Sequence, residues 1–87
     1  MHEWGMVRAL VKEIERAAAR NGADKVFAAK IKIRRDMWRS PEHLRDQFGI
    51  VSAGTVAEGA DLVIEYLDER QAQQIKGILL EDMEIDA

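Results

Sequence analysis

The chain opens with a period of 3.6. Val7, Leu10, Val11, Ile14, Ala17 and Ala18 recur at helical spacing, while Arg8, Lys12, Glu15, Arg16 and Arg20 fill the other positions. This pattern predicts an amphipathic helix over the first twenty residues, closed by Asn21-Gly22, where glycine supplies the left-handed conformation that ends a helix. The period then drops to two: Phe27, Ala29, Ile31 and Ile33 alternate with Ala28, Lys30, Lys32 and Arg34, a strand with one apolar and one basic face. Ser40-Pro41 reads as a helix start, serine as N-cap and proline where its missing N–H costs nothing, and Leu44, Phe48 and Val51 continue it as a stripe. Gly54 is expected to end this helix. The small-residue loop Gly54 to Gly59 leads to a second strand, in which Leu62, Ile64 and Tyr66 alternate with Asp61, Val63 and Glu65. In the tail, Ile75, Ile78, Leu79 and Met83 fit a helix, whereas Leu79, Met83 and Ile85 also share one side of a strand. Gly77 interrupts the helical alternative, so a strand over about 78–85 is expected. The sum is an α+β fold, two helices packed on a small three-stranded sheet, in a single domain over 1–87.

Composition narrows the chemistry. The 87 residues contain no cysteine, which removes disulfides, thiolate zinc sites, iron–sulfur clusters and cysteine nucleophiles together. A net charge of −3 speaks against a nucleic-acid partner, and the basic strand face is expected to be the solvated side of a sheet whose other side carries helices. No apolar run approaches the length of a membrane span and no signal peptide opens the chain, so a cytoplasmic location is expected. There is no glycine-rich phosphate loop and no Ser/His/Asp constellation, so an enzyme is not expected. Glu81, Asp82, Glu84 and Asp86 lack calcium-loop spacing and read as solvated surface. Trp4 and Trp38 are expected in the core.

One chemical opportunity stands at the start, Met1-His2-Glu3-Trp4. The α-amine of Met1, the backbone amide of His2 and the His2 imidazole can close fused five- and six-membered chelate rings around one ion. All-nitrogen tetragonal or square-planar coordination suits Ni(II) or Cu(II) rather than magnesium or calcium. Binding displaces protons from these groups and so strengthens as pH rises. His43, the only other histidine, falls in the first turns of the second helix and is expected to be a surface residue rather than a ligand.

Met1-His2-Glu3 running into an amphipathic helix resembles the HypA/HybF family of nickel metallochaperones for [NiFe]-hydrogenase maturation. The resemblance continues through Asn21-Gly22-Ala23, the strand Val26 to Ile33, Pro41-Glu42-x-Leu44-Arg45-x-x-Phe48, the loop Gly54-Thr55-Val56-Ala57-Glu58-Gly59-Ala60 and the closing segment Gly77 to Ile85. It implies two helices on a three-stranded sheet, with nickel held by Met1, His2 and the backbone of Glu3. The Glu3 side chain would orient or relay beside the ion. It also implies a HypB-type GTPase and a hydrogenase large-subunit precursor as partners. Family members carry an inserted zinc domain with two CxxC pairs; here Leu67 to Lys76 stands in its place, so no zinc is expected. Arg35-Asp36-Met37-Trp38 also lacks the family's glycine-containing turn.

Two functions follow from this. One is a Ni(II) carrier without a zinc module; the other is a HypA-derived structural or docking subunit of a larger enzyme complex, its metal role lost or altered. The sheet edge left by the missing insertion is a candidate for strand pairing with a partner or a second copy, as in a homodimer.

Overall fold

The computed structural model describes residues 3–38 and 40–86. Its elements are helix α1 (Glu3–Arg20), strand β1 (Val26–Ile33), helix α2 (Pro41–Ser52), strand β2 (Asp61–Tyr66), the short helix α3 (Glu69–Gln74) and strand β3 (Leu79–Ile85). The sheet order is β2-β1-β3, with β1 parallel to β2 and antiparallel to β3. Helix α2 is thus the crossover that a parallel pair requires. Helices α1 and α2 pack against each other over one sheet face, burying Val7, Leu10, Val11, Ile14, Leu44 and Phe48 against Val26, Ala29, Ile31, Ile33 and Leu62.

Local chemistry sets the element ends. At the end of α1, Ala23 N–H donates to Ala18 O at 2.9 Å and Gly22 N–H to Ala19 O at 3.1 Å, the paired bonds of a Schellman closure. Gly22 makes this possible with φ +66°. At the start of α2, Ser40 Oγ accepts from His43 N–H at 3.2 Å. The loop after α2 holds itself together: Glu58 accepts from Gly54 N–H at 2.6 Å, Thr55 Oγ1 accepts from Ala57 N–H at 3.0 Å, and Val56 O accepts from Val26 N–H at 3.0 Å. Ala57 is fully buried beneath it. The segment Leu67 to Lys76 holds α3, a turn of helix beyond the two expected. Asp68 and Gln71 form a reciprocal capping box at its start, and Arg34 Nη1 donates to Ala72 O at 2.7 Å, tying it to the end of β1.

Three placements differ from the sequence pattern. Phe27 is exposed rather than buried, because β1 bulges against β3 between Val26 and Ala28 and shifts the alternation by one residue. A second irregularity lies between Lys30 and Ile31, where Asp82 and Leu80 are the partners and Glu81 is the extra residue. Leu80, not Leu79, therefore joins Met83 and Ile85 against the core. Trp38 is buried as expected, but Trp4 is exposed at 38%.

The outer sheet face carries the basic row, and carboxylates neutralise it. Lys30 lies 3.5 Å from Glu65 and 3.4 Å from Glu81, and Lys32 lies 3.3 Å from Glu81. The Glu65 charge, then the bond to Glu81, holds Lys30 above its usual pKa; the bond from Lys32, joined by Lys30, holds Glu81 below the usual carboxylate range. A depressed carboxylate stabilises the fold above its unfolded pKa, and that contribution disappears as pH falls through the folded value. Glu81→Gln is therefore expected to melt below wild type at neutral pH in low salt. The two melting curves should converge below the carboxylate range, and also at about 1 M salt, where the screening length is about 3 Å. A melting difference that persists in acid would show that Glu81 acts through packing instead.

Candidate functional site

The tight Asn21-Gly22 turn makes α1 and β1 antiparallel, so α1 begins at the end of the domain where β1 finishes and α2 starts. Two helix N-termini meet there, each with a carboxylate in its first turn, Glu3 and Glu42. Carboxylates at this position offset the positive pole of the helix dipole. Beside the apolar packing of the two helices, Glu3 makes polar contacts across to α2. Its Oε1 lies 3.5 Å from His43 Nε2, within ion-pair reach when the imidazole is protonated, and 3.5 Å from Gln47 Nε2.

Gln47 decides how Glu3 is held. It lies on the buried stripe of α2 with Leu44 and Phe48, only 4% exposed. Its Oε1 accepts from Trp38 Nε1–H at 2.7 Å. An indole nitrogen only donates, so Gln47 must turn its oxygen to Trp38, which leaves its NH2 to face the Glu3 carboxylate. The polarity of the relay Trp38–Gln47–Glu3 is thereby set from its buried end. Its only mark in the sequence is a polar residue three positions after Leu44 on an otherwise apolar stripe, which belongs to no motif.

Met1 and His2, two of the three expected nickel ligands, lie outside the described residues; Glu3 is the third and is placed at the start of α1. Among the described residues, no group of three or more His, Asp or Glu side chains is arranged to hold a metal. Glu3 carboxylate oxygen and His43 imidazole nitrogen stand 3.5 Å apart. The Glu3 backbone N–H is also free of any intrahelical acceptor, as the first N–H groups of every helix are. His43 is half-exposed, as expected of a surface residue, yet it is directed at Glu3.

A larger groove of about 620 Å³ opens between the ends of β1 and β2 and α3, lined by Lys32, Arg34, Arg35, Tyr66 and Asp68. Its cations are already engaged: Lys32 with Glu81, Arg34 with Asp36 and Ala72 O, and Arg35 over the Tyr66 ring at 4.5 Å. Arg34 accordingly holds the Asp36 carboxyl below its usual range. Among the described residues no helix is long and apolar enough to cross a membrane.

A family model described as hydrogenase/urease nickel incorporation, metallochaperone, hypA, matches residues 1–76. Hydrogenase maturation factor HypA of Archaeoglobus fulgidus is 33% identical over 64 residues, which cover 74% of this chain and 58% of that protein. The protein of the same name from Desulfitobacterium hafniense is 36% identical over 67 residues, covering 77% of this chain and 59% of its own. The chain spans under three fifths of the length of these curated relatives. On its helix–strand order and on a family match that runs from the first residue through α3, this chain belongs to the HypA family of nickel metallochaperones.

Proposed function

We propose that this chain carries Ni(II) as cargo for the maturation of a [NiFe]-hydrogenase, holding it at the N-terminus. The ligands are the Met1 α-amine, the His2 amide and imidazole, and the backbone amide of Glu3. The observation that carries this reading is the anchoring of Glu3. The residue that follows the Met1-His2 chelate is held to α2 through Gln47 and His43, so the chelate is attached to a fixed point of the fold rather than to a loose end.

The chemistry follows from the donor set. Binding displaces the ammonium proton and one proton from each ligating amide, so affinity rises with pH, and returning those protons weakens the site and favours transfer. Nitrogen donors in a tetragonal field select Ni(II) or Cu(II) over magnesium or calcium. The Glu3 carboxylate neutralises part of the ion's charge beside it. A HypB-type GTPase and the hydrogenase large-subunit precursor are the partners this role calls for, in the cytoplasm where such precursors fold. With α3 in place of a cysteine-bearing insertion, the single domain over 1–87 works without zinc.

The test is a Ni(II) titration by calorimetry and absorbance on untagged protein whose Met1 is verified by mass spectrometry. Wild type should bind about one ion per chain with a weak d–d band. His2→Ala, or acetylation of the α-amine, should abolish saturable binding. Equal binding by all three would overturn the reading.

A second reading rests on a different observation. Phe27 and Val63 are each 45% exposed on β1 and β2, and β2 and β3 are both edge strands. Apolar side chains beside open edges suit a docking subunit of a larger complex, or a homodimer. That role predicts a stable, stoichiometric complex on purification from the native host.

A further inference from the structure

A cleft of about 410 Å³ runs between the later turns of α2 and the start of β2. Arg45, Phe48, Gly49 and Ser52 line it from the helix, at the spacing that places residues on one helical face. Residues 59–62 close the other side. Leu62 is buried in the core, so strand alternation directs the Asp61 side chain to the outer sheet face, in register with Ala28. That leaves Arg45 as the charge of the cleft among the described residues.

Three features fit this cleft to an anionic group. Arg45 Nη2 donates to Leu62 O at 3.1 Å, which holds the guanidinium across from α2 to β2. Its carboxylate neighbour Glu42 stands 3.6 Å away and is 78% exposed, a weak partner, and a guanidinium has five N–H groups to share. Ser52 is 1% exposed, and its Oγ is the buried side-chain polar atom that finds no hydrogen-bond partner among the described residues. Such a hydroxyl costs stability until something accepts from it. Gly49 sits inside α2 without a positive φ, and a Cβ there would meet nothing within 4 Å. Glycine weakens a helix at such a position; what it supplies is room.

We propose that this cleft binds a carboxylate. Its oxygens accept from the Arg45 guanidinium and from the Ser52 hydroxyl, which turns into the cleft on binding, and the carbon that carries it rests beside Phe48 and Leu62. The carboxylate belongs to a small free acid or to the peptide chain of a partner protein. The site is independent of the nickel reading: it needs no metal, and Ser52 closes α2 at the end away from Glu3.

The test follows backbone amide and Arg45 side-chain signals by NMR as the full chain is titrated with propionate and with its neutral isostere propionamide. Propionate should move the Gly49, Ser52 and Gly59 signals saturably, and propionamide should not. Arg45→Gln should weaken propionate at least about tenfold and Ser52→Ala about fivefold, the losses expected for one charge-assisted and one simpler hydrogen bond. Gly49→Leu should fill the cleft and abolish binding while melting no lower than wild type, because the space is open. Ile50→Ala, exposed and outside the cleft, should bind as wild type does. Without ligand, Ser52→Ala should melt at or above wild type, since it removes a hydroxyl that nothing satisfies. A lower melting temperature for Ser52→Ala would mean that the hydroxyl already has a partner in the fold, and overturns the proposal. So do equal shifts with propionamide, no saturable shift with propionate, or undiminished binding by Gly49→Leu. An acetylated dipeptide with a free C-terminal carboxylate separates the two sources. Binding at least about tenfold tighter than propionate, lost on amidation, assigns the cleft to a chain end; exclusion of the peptide while propionate still binds assigns it to a free acid.

Discussion

Leu44→Ala is expected to destabilise the domain by about 2–5 kcal/mol, the range for removing a buried leucine side chain from a core that cannot collapse around the gap. Leu44 is fully buried and sits one turn into α2. Small domains have about 5–15 kcal/mol in all, so the midpoint of urea unfolding should fall by a large fraction. The same substitution at Ile50, on the same helix but 67% exposed, should change stability by about 0.5 kcal/mol or less. Equal effects at the two positions would mean that α2 is not seated as described. A functional consequence accompanies the stability change. Leu44 seats the turn that carries His43 and the stretch leading to Gln47, so nickel affinity should weaken in Leu44→Ala even where the protein is still folded.

Gln47→Leu carries the second large effect. The leucine suits the buried stripe in volume, but it strands the Trp38 N–H, and leaving such a donor unsatisfied costs about 1–3 kcal/mol. Trp38→Phe added to Gln47→Leu removes the stranded donor, so the double variant should lose less than the sum of the two single losses. A double-mutant cycle reads that difference directly. Strict additivity would show that the Trp38–Gln47 bond contributes nothing to the native state. Gln47→Leu should also remove one of the two contacts that hold the Glu3 carboxylate to α2, leaving His43, and so weaken Ni(II) binding, whereas Trp38→Phe, which leaves the Gln47 amide free to face Glu3, should weaken it less.

Much of the architecture was legible because its signals are local. The Schellman closure at Gly22 and the Ser40 cap come from the conformational freedom of one glycine and the reach of one hydroxyl. The expectation of a strand over 78–85 held against the helical alternative, with β3 at Leu79–Ile85. The HypA resemblance, carried by the opening tripeptide and the Gly54 to Ala60 loop, agrees with the family match. What failed was non-local. Phe27 and Leu79 looked inward because strict alternation was assumed, and the two bulges against β3 reset that alternation. Helix α3 was overlooked because six residues carry too little periodicity to be told from a loop.

By itself, the sequence determined the order of the two long helices and the three strands, the helix ends at Gly22 and Ser40, and the apolar faces of α1 and α2, because each depends on neighbours within a turn or two of chain. Only the tertiary structure decided which side chains meet Glu3. His43 and Gln47 are forty and more positions away along the chain, and nothing in their local spacing marks them as a pair. They reach Glu3 because burying two apolar helix faces on one sheet brings both helix starts to the same end of the domain.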